Sequence, residues 1–135
     1  MIYLLDTNIL IYLIKNRPAS VAHRVNDLPG GTTLGMSFVT YAELLKGAER
    51  STRKPDVLRQ LDRLLRIVPV YFETNQNFCR HYAIQANRLR SAGTPVGCND
   101  LWIACHALML EATLVTNNQR EFSRIDGLRL ENWAE

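Results

Sequence analysis

The N-terminal stretch Ile2–Leu13 constrains the fold more than any other part of the chain. Ile2–Leu5 is an uninterrupted apolar run, typical of a central strand that a parallel sheet buries on both faces. Asp6 and Asn8 interrupt the apolar pattern, which then resumes at helical spacing. Asp6 is therefore predicted to lie where a buried strand ends and a helix begins, the edge at which open α/β sheets bind ligands. A helix-capping role for Asp6 or Asn8 explains the same pattern equally well.

The rest of the chain repeats this alternation of strand and helix. After Ile2–Leu5, four further strands are predicted: Thr32–Met36, Ile67–Val70, Ala112–Thr116 and Leu128–Trp133. Six helices are predicted between the strands. Their ranges are Ile9–Ile14, Ala19–Leu28, Ser37–Gly47, Val57–Leu65, Thr74–Ser91 and Leu101–Leu110. We expect an α/β fold of three layers, with a mainly parallel central sheet flanked by helices, in a single domain spanning residues 1–135.

Three local features carry expectations of their own. Pro69 indicates that the third strand lies at an edge of the sheet or is irregular. Gly47 is expected either to end its helix or to let another segment approach closely. Helix Thr74–Ser91 is expected to have five apolar members: Phe78, Tyr82, Ile84, Ala86 and Leu89.

Composition excludes several classes of protein. The hydrophobic share of 47% and the charged share of 21% are those of a globular protein, and no apolar stretch is long enough to span a bilayer. The N-terminal run lacks the preceding basic residues of a secretory signal. Three cysteines without zinc-type spacing (Cys79, Cys98 and Cys105) indicate reduced thiols in a cytoplasmic protein. The net charge of +3 is weak evidence for a polyanionic partner. The histidines His23, His81 and His106 have no ligand-spaced partners and are expected to be structural or exposed.

Four acids are predicted at the same edge of the sheet. Asp6 ends the first strand, Glu43 lies in the helix after the second, and Asp100 opens the most apolar helix. Glu121 and Asn118 follow the strand Ala112–Thr116, in what is expected to be a polar loop. Each acid alone has an ordinary explanation: a cap for Asp6, a capping box with Thr40 for Glu43, and a favourable first-turn position for Asp100.

Taken together, these acids favour a metal site. Clustered carboxylates repel one another unless a hard cation lies among them, and oxygen ligands favour Mg²⁺ or Mn²⁺. Such ions activate water and stabilise charge at a phosphodiester. The chain has no glycine-rich phosphate loop and no evident Ser-His-Asp or Cys-His arrangement. A Mg²⁺-dependent phosphatase or phospho-acceptor domain also places Asp after its first strand, but position 8 here is Asn8, not a second acid. A non-catalytic RNA- or protein-binding module with a decayed metal site is the alternative from another class.

The four acid-bearing segments resemble the four sequence blocks of PIN-domain ribonucleases, and most closely those of VapC toxins. The matching segments are Leu4-Leu5-Asp6-Thr7-Asn8-Ile9-Leu10, Thr40-x-x-Glu43-Leu44-x-x-Gly47, Gly97-x-Asn99-Asp100-x-x-Ile103-Ala104-x-His106-Ala107 and Val115-Thr116-Asn117-Asn118-x-x-Glu121-Phe122. The resemblance covers essentially the whole chain. The order and spacing of the blocks are specific, although each block alone is not.

The resemblance implies a metal-dependent endoribonuclease that uses Mg²⁺, for which Mn²⁺ can substitute. It implies that Asp6, Glu43 and Asp100 are the metal-binding acids. Many members have Asp where Asn118 stands, so the fourth catalytic acid is left open between Asn118 and Glu121. Three further polar residues are implied as supporting groups: Thr7, Asn8 and Thr116.

The resemblance also implies partners. Similar toxins belong to type II toxin–antitoxin pairs, form homodimers, and are neutralised by a VapB-type antitoxin whose C-terminal segment covers the active-site groove. The implied substrate is RNA, and specifically tRNA, with initiator tRNA cut in its anticodon loop by several of the most similar toxins. Arg88, Arg90 and Arg120 are candidates for contacts with the RNA backbone, and the sequence does not choose among them.

Overall fold

The computed structural model describes residues 1–135. The elements in chain order are β1 (Ile2–Leu5), α1 (Thr7–Lys15), α2 (Ala19–Asn26), β2 (Thr33–Ser37), α3 (Phe38–Arg50), α4 (Lys54–Leu65), β3 (Val70–Tyr71), α5 (Gln76–Ala92), α6 (Cys98–Leu110), β4 (Thr113–Val115), α7 (Gln119–Phe122) and β5 (Arg129–Glu131).

The five strands form one sheet in the order β3-β2-β1-β4-β5, and every neighbouring pair is parallel. The α/β fold expected from the sequence is confirmed, with a sheet that is wholly rather than mainly parallel. The chain runs outward from β1 to β3 and then returns to β4 on the other side of β1. The carboxyl ends of β1 and β4 therefore flank the point where the strand order reverses, and open α/β sheets bind ligands at that point.

Helices cover both faces of the sheet. Leu4 and Leu114 are fully buried in one apolar cluster with residues of α5 and α6, while Leu5 and Val115 are fully buried in a second cluster with residues of α1 and α4. Because successive residues of a strand point to opposite faces, this division explains why Ile2–Leu5 has no polar member. The apolar run in the sequence reflects two cores, one on each side of β1.

The third strand differs from its predicted position. The predicted range Ile67–Val70 contains only the first residue of β3, because the backbone N–H groups of Ile67 and Val68 still bond to the carbonyl of Leu64 and continue the turn that ends α4. The side chain of Ile67 is consequently exposed. The expectation from Pro69 is confirmed in that β3 lies at an edge of the sheet.

The expectation for Gly47 was wrong, and the burial of α5 departs from its apolar pattern. Gly47 neither ends α3, which continues to Arg50, nor meets another segment, since a Cβ atom at that position would have no atom within 4 Å. Ile84 is 61% exposed, and the buried residue of that turn is Gln85, whose amide bonds to the backbone of Asp126. Burial of a hydrogen-bonded glutamine does not follow from hydrophobic periodicity.

The segment after β4 is helical rather than a loop. α7 occupies Gln119–Phe122, and the fully buried side chain of Phe122 fixes it against the core. The three cysteines are free thiols, as expected. None of the helices is both long enough and apolar enough to cross a membrane.

Candidate active site at the carboxyl edge of the sheet

Asp6 lies at the junction between β1 and α1 and is 6% exposed. One of its carboxylate oxygens accepts from the backbone N–H of Thr7 at 2.8 Å, and so caps the helix. The other accepts from the hydroxyl of Thr116 at 2.8 Å, at the end of β4. The Thr116 hydroxyl oxygen in turn accepts from the backbone N–H of Asn118 at 2.9 Å. The two explanations of Asp6 offered by the sequence are thus compatible, since the cap leaves one oxygen oriented toward the next strand.

Glu43 reaches the same edge from α3. Its Oε1 accepts from the hydroxyl of Thr7 at 2.8 Å, and its Oε2 accepts a longer bond of 3.4 Å from the side-chain amide of Asn99. The N-cap of α3 is Ser37, whose hydroxyl accepts from the backbone N–H of Val39. The capping-box explanation of Glu43 is therefore wrong, because Thr40 lies inside the helix with its hydroxyl buried and unpartnered.

Asp100 and Glu121 form the other half of the cluster. Asp100 lies in the first turn of α6, and its carboxyl hydrogen-bonds to that of Glu121. Glu121 accepts from the backbone N–H of Gly97 at 2.6 Å and from the amide of Asn118 at 2.9 Å. A Cβ atom at Gly97 would lie 3.4 Å from Glu121 Oε1 and 3.8 Å from Asp100 Oδ2, both ordinary van der Waals contacts, so the backbone of Gly97 lies directly beside both carboxylates.

The pKa values show that the four acids lie in one another's field. Burial raises the pKa of Asp100 to about 7, together with the hydrogen bond and charge of Glu121 and the charges of Asp6 and Glu43. Burial also raises the pKa of Asp6; the bonds from Thr116 and Thr7 lower it, while the charges of Glu43 and Glu121 raise it further. The pKa of Glu121 is lowered, chiefly because its carboxylate accepts from the N–H of Gly97.

No salt bridge offsets the negative charge of the cluster, although the charge of Arg124 contributes to the lowered pKa of Glu121. The four salt bridges of the protein involve Glu131, Asp56 and Glu49, and none includes a site acid. As the side chains stand, no three His, Cys, Asp or Glu residues are grouped closely enough to hold a metal ion. The carboxylates instead share hydrogen bonds with neighbouring hydroxyls, amides and each other. An all-oxygen donor set with uncompensated charge and a proton held by Asp100 fits a hard cation, whose binding would displace that proton.

Not every residue suggested by the sequence belongs to this cluster. Asn8 is exposed and makes no side-chain hydrogen bond to the acids. Asn118 contributes its amide to Glu121 rather than an acid. Asn99 and Gly97 were not predicted as site residues. Asn99 immediately precedes Asp100 and its amide contacts Glu43, while the backbone N–H of nearby Gly97 contacts Glu121.

The arginines and histidines separate by burial and bonding. The guanidinium of Arg88 bonds to the side chain of Gln85 and to the carbonyl of Arg124, so it is part of the fold rather than a free cation. Arg90 and Arg120 are exposed. His106 is fully buried and structural, as expected: its ring bonds to the Ser37 hydroxyl at 2.8 Å and to the carbonyl of Glu73 at 3.1 Å. The bond between His106 and Ser37 connects α6, which carries Asp100, to the start of α3, which carries Glu43.

Known proteins share both the sequence and the fold. The sequence profile of the PIN domain family matches residues 3–128. The chain is 50% identical to Ribonuclease VapC1 of Haemophilus influenzae over 135 residues, all of both chains. It is 39% identical to the tRNA(fMet)-specific endonuclease VapC of Shigella flexneri over 132 residues, 98% of each.

The solved structures agree. The VapBC-1 structure from nontypeable Haemophilus influenzae superposes with a TM-score of 0.93 at 50% identity over the whole of both chains. The structure of VapBC2 from Rickettsia felis bound to a promoter DNA fragment gives a TM-score of 0.91 at 38% identity, covering 98% of this chain and 99% of that one. These matches support an enzyme rather than a non-catalytic binding module. The chain belongs to the PIN-domain family, and within it to the VapC-type toxins, which are metal-dependent endoribonucleases.

Proposed function

We propose that this protein is the toxin of a type II toxin–antitoxin pair and inhibits growth by cleaving tRNA in a Mg²⁺-dependent reaction, with Mn²⁺ able to substitute. The observation that carries the proposal is the cluster of four carboxylates without a salt bridge at the point where the strand order reverses. Initiator tRNA is the proposed substrate because relatives from Shigella flexneri and Salmonella typhimurium, 39% and 37% identical, are named tRNA(fMet)-specific endonucleases.

We assign the metal ligands to Asp6, Glu43 and Asp100, and the fourth catalytic acid to Glu121 rather than Asn118. The amide of Asn118 donates to Glu121 at 2.9 Å, which is the role of a positioning group. Thr7 and Thr116 have the corresponding role for Glu43 and Asp6, since each hydroxyl holds one carboxylate oxygen at 2.8 Å.

The chemistry proposed for this arrangement is hydrolysis of a phosphodiester. A bound divalent cation supplies Lewis-acid polarisation of the phosphate and lowers the pKa of water. Water attacks phosphorus in line, and the products carry a 5′-phosphate and a 3′-hydroxyl. Glu121 is placed to receive the proton that water loses, because it lies against Asp100 and is ionised at neutral pH.

The proposed partners follow from the relatives. The solved structures of similar chains are VapBC structures, which supports a VapB-type antitoxin for this toxin as well. We also propose a homodimer acting in the cytoplasm. Three free thiols and the absence of a membrane-crossing helix agree with that location.

Cleavage of total tRNA by the purified protein tests the proposal. We expect discrete fragments in Mg²⁺ or Mn²⁺ that vanish in EDTA and with Asp100→Asn, because the amide removes one ligand charge. The fragments are expected to carry 5′-phosphates. A circular dichroism spectrum of Asp100→Asn identical to that of the wild type would show that the loss is not unfolding.

Three results would each overturn a separate part. Cleavage by Asp100→Asn at the wild-type rate would mean that the site is wrong. Products ending in 2′,3′-cyclic phosphate would exclude hydrolysis by water. Tight Mn²⁺ binding without any cleavage of tRNA would exclude tRNA as the substrate and leave the metal site standing.

A further inference from the structure

A cavity opens directly beside the acid cluster, between α3, α5 and α6. Its volume is about 500 Å³, within the range of sites that hold small organic groups. Its wall includes three apolar side chains and its rim three polar ones: Phe38, Ala42 and Trp102, and Glu43, Lys46 and Asn99. We refer to this cavity as the side pocket.

The side pocket and the acid cluster share two residues. Glu43 and Asn99 line the pocket and are themselves joined by a 3.4 Å hydrogen bond. Glu43 is also bonded to Thr7, the neighbour of Asp6, so its carboxylate forms the boundary between the two spaces. A group that occupies the pocket is therefore adjacent in space to a phosphodiester positioned at the acids.

The aromatic wall is held rigidly. The Trp102 ring stacks on Tyr82, with centroids 4.2 Å apart and planes 8° apart, and on Phe78, with centroids 5.2 Å apart and planes 14° apart. Phe38 packs against Phe78 and against the buried ring of His106. Because these rings fix one another, the pocket is preformed, and a flat apolar group can enter without the loss of side-chain freedom that a mobile wall would impose.

The charge at the rim distinguishes between possible occupants. Lys46 lies one turn beyond Glu43 on α3, is exposed, and takes part in none of the salt bridges. Arg50, one turn further along the same face, is also exposed and without a salt bridge. A positive row leading away from the acids suits a phosphate chain. An apolar peptide side chain would gain from the aromatic wall but nothing from these cations.

We propose that the side pocket receives the nucleobase next to the scissile phosphate of single-stranded RNA, while Lys46 contacts the following phosphate. This inference rests on the proposed ribonuclease function and adds to it a subsite for one base. It requires that the base be unpaired, since a paired base is not free to enter a pocket. Cleavage is thereby directed to loops rather than to helical stems.

The test uses Ala42→Phe, which fills the pocket from an exposed position of α3. Ala92→Phe, at an exposed position near the end of α5, is the matched control. Each protein is assayed on an RNA oligonucleotide spanning the mapped cut, with either an intact base or an abasic ribose on each side of the bond. For the wild type we expect kcat/KM to fall about tenfold at one of the two abasic positions, the usual effect of losing one bound base. Ala42→Phe should fall about tenfold on the intact RNA and little further on that abasic RNA, because both changes remove the same contact.

A binding measurement makes the result independent of cleavage. Trp102 lines the pocket, whereas the only other tryptophan, Trp133, is fully buried. Titration with short single-base ribo-oligonucleotides in EDTA should change the fluorescence of the wild type and of Ala92→Phe. No such change is expected for Ala42→Phe or in a Trp102→Phe background.

Lys46→Ala should weaken oligonucleotide binding and reduce its salt dependence. Lys15→Ala, which changes an exposed lysine at the end of α1, should do neither.

Wild-type cleavage and binding by Ala42→Phe would overturn the subsite. Normal cleavage by Ala42→Phe with lost affinity for an antitoxin peptide would assign the pocket to that peptide instead. Failure of EDTA or Asp100→Asn to stop cleavage would overturn the proposed function, and the fluorescence titration would still decide the occupant of the pocket.

Discussion

The two aspartates of the site are held in different ways. Asp6 is 6% exposed, and each of its oxygens has a donor, one from the helix that it caps and one from Thr116. Asp100 lies in the first turn of α6 and meets another carboxyl, that of Glu121, rather than a hydroxyl or amide. Its pKa rises to about 7. Asp6 is fixed by the fold, whereas Asp100 is left with a charge that the fold does not compensate.

This contrast explains how a site can be both stably folded and able to bind a cation. Hydrogen bonds from fixed hydroxyls orient a carboxylate and offset part of its burial. A carboxyl paired with another carboxyl holds a proton instead, and a cation gains most where it displaces that proton. We therefore infer that Asp6 with Thr116 (the Asp6 side) sets the position of the metal. Asp100 with Glu121 (the Asp100 side) supplies much of the driving force for metal binding.

The largest effect should come from removing either charge. Asp6→Asn and Asp100→Asn are each expected to lower the rate of tRNA cleavage by at least about 10³-fold, since metal stabilisation of the transition state amounts to several kcal/mol. The double variant should be no slower than the slower single variant if, as we propose, both residues hold one ion and act as a unit. Single-turnover cleavage rates measure this cycle.

If the losses in cleavage rate multiply in the double variant, the two aspartates act at different metal centres. The comparison between two sides of one site would then no longer hold. Asp27→Asn, which changes an exposed acid at the end of α2, is the matched control for loss of a negative charge.

Thr116→Val tests whether the Asp6 side depends on its hydroxyl. Valine keeps the shape of the buried side chain but removes the donor to Asp6 and the acceptor for the Asn118 N–H. Mn²⁺ affinity is expected to fall about 10- to 100-fold, the usual effect of losing a group that orients a metal ligand. Thr116→Ser keeps the hydroxyl and should bind like the wild type in calorimetric titrations. Equal affinities for the valine and serine variants would mean that Asp6 needs no such partner.

Most of the fold could be predicted from the sequence because its signals are local and repeated. The run Ile2–Leu5, the capping position of Asp6, and the Gly93 that ends α5 with φ of 68° all have the structure that their patterns predict. The failures lie where tertiary contacts override pattern. Ile67 continues a helical turn, and Gln85 is buried because a distant backbone segment satisfies its amide.

The clustering of the candidate site acids at one edge of the sheet was predictable, but their hydrogen bonds were not. That Asp6, Glu43 and Asp100 share an edge follows from strand-to-helix junctions in a parallel sheet. The pairing of Glu121 with Asp100 depends on α7, a single turn held in place by the buried Phe122, and on the N–H of Gly97 from a separate loop. Such contacts between residues distant in the chain leave no periodic signal, so the sequence left the choice between Asn118 and Glu121 open.

The pH dependence of metal binding should show directly that the metal displaces a proton from Asp100. With a pKa of about 7 in the metal-free protein, Asp100 holds a proton below that pH, and Mn²⁺ must displace it. Affinity is expected to fall by about tenfold per pH unit below pH 7 and to level off above pH 8. Glu121→Gln removes a charge that raises the pKa of Asp100, so the fall should begin at a lower pH. A flat profile between pH 5 and pH 8 in calorimetric titrations would contradict the assignment.

The smallest effect concerns stability without metal, where the same charge acts against folding. The pKa of Asp100 is raised from 3.8 in the unfolded chain to about 7 in the folded one, so the folded state binds the proton more tightly. This contribution to stability is complete below about pH 4 and is lost as the pH rises to about 7. In EDTA at pH 8, Asp100→Asn should therefore be more stable than the wild type by about 1 kcal/mol, or a Tm about 3 °C higher, with little difference at pH 4. Saturating Mn²⁺ should reverse the order, because only the wild type gains the full binding energy of the ion. Thermal unfolding at the two pH values measures both signs, and a destabilised Asp100→Asn in EDTA would mean that Asp100 is a structural helix acid rather than an uncompensated one.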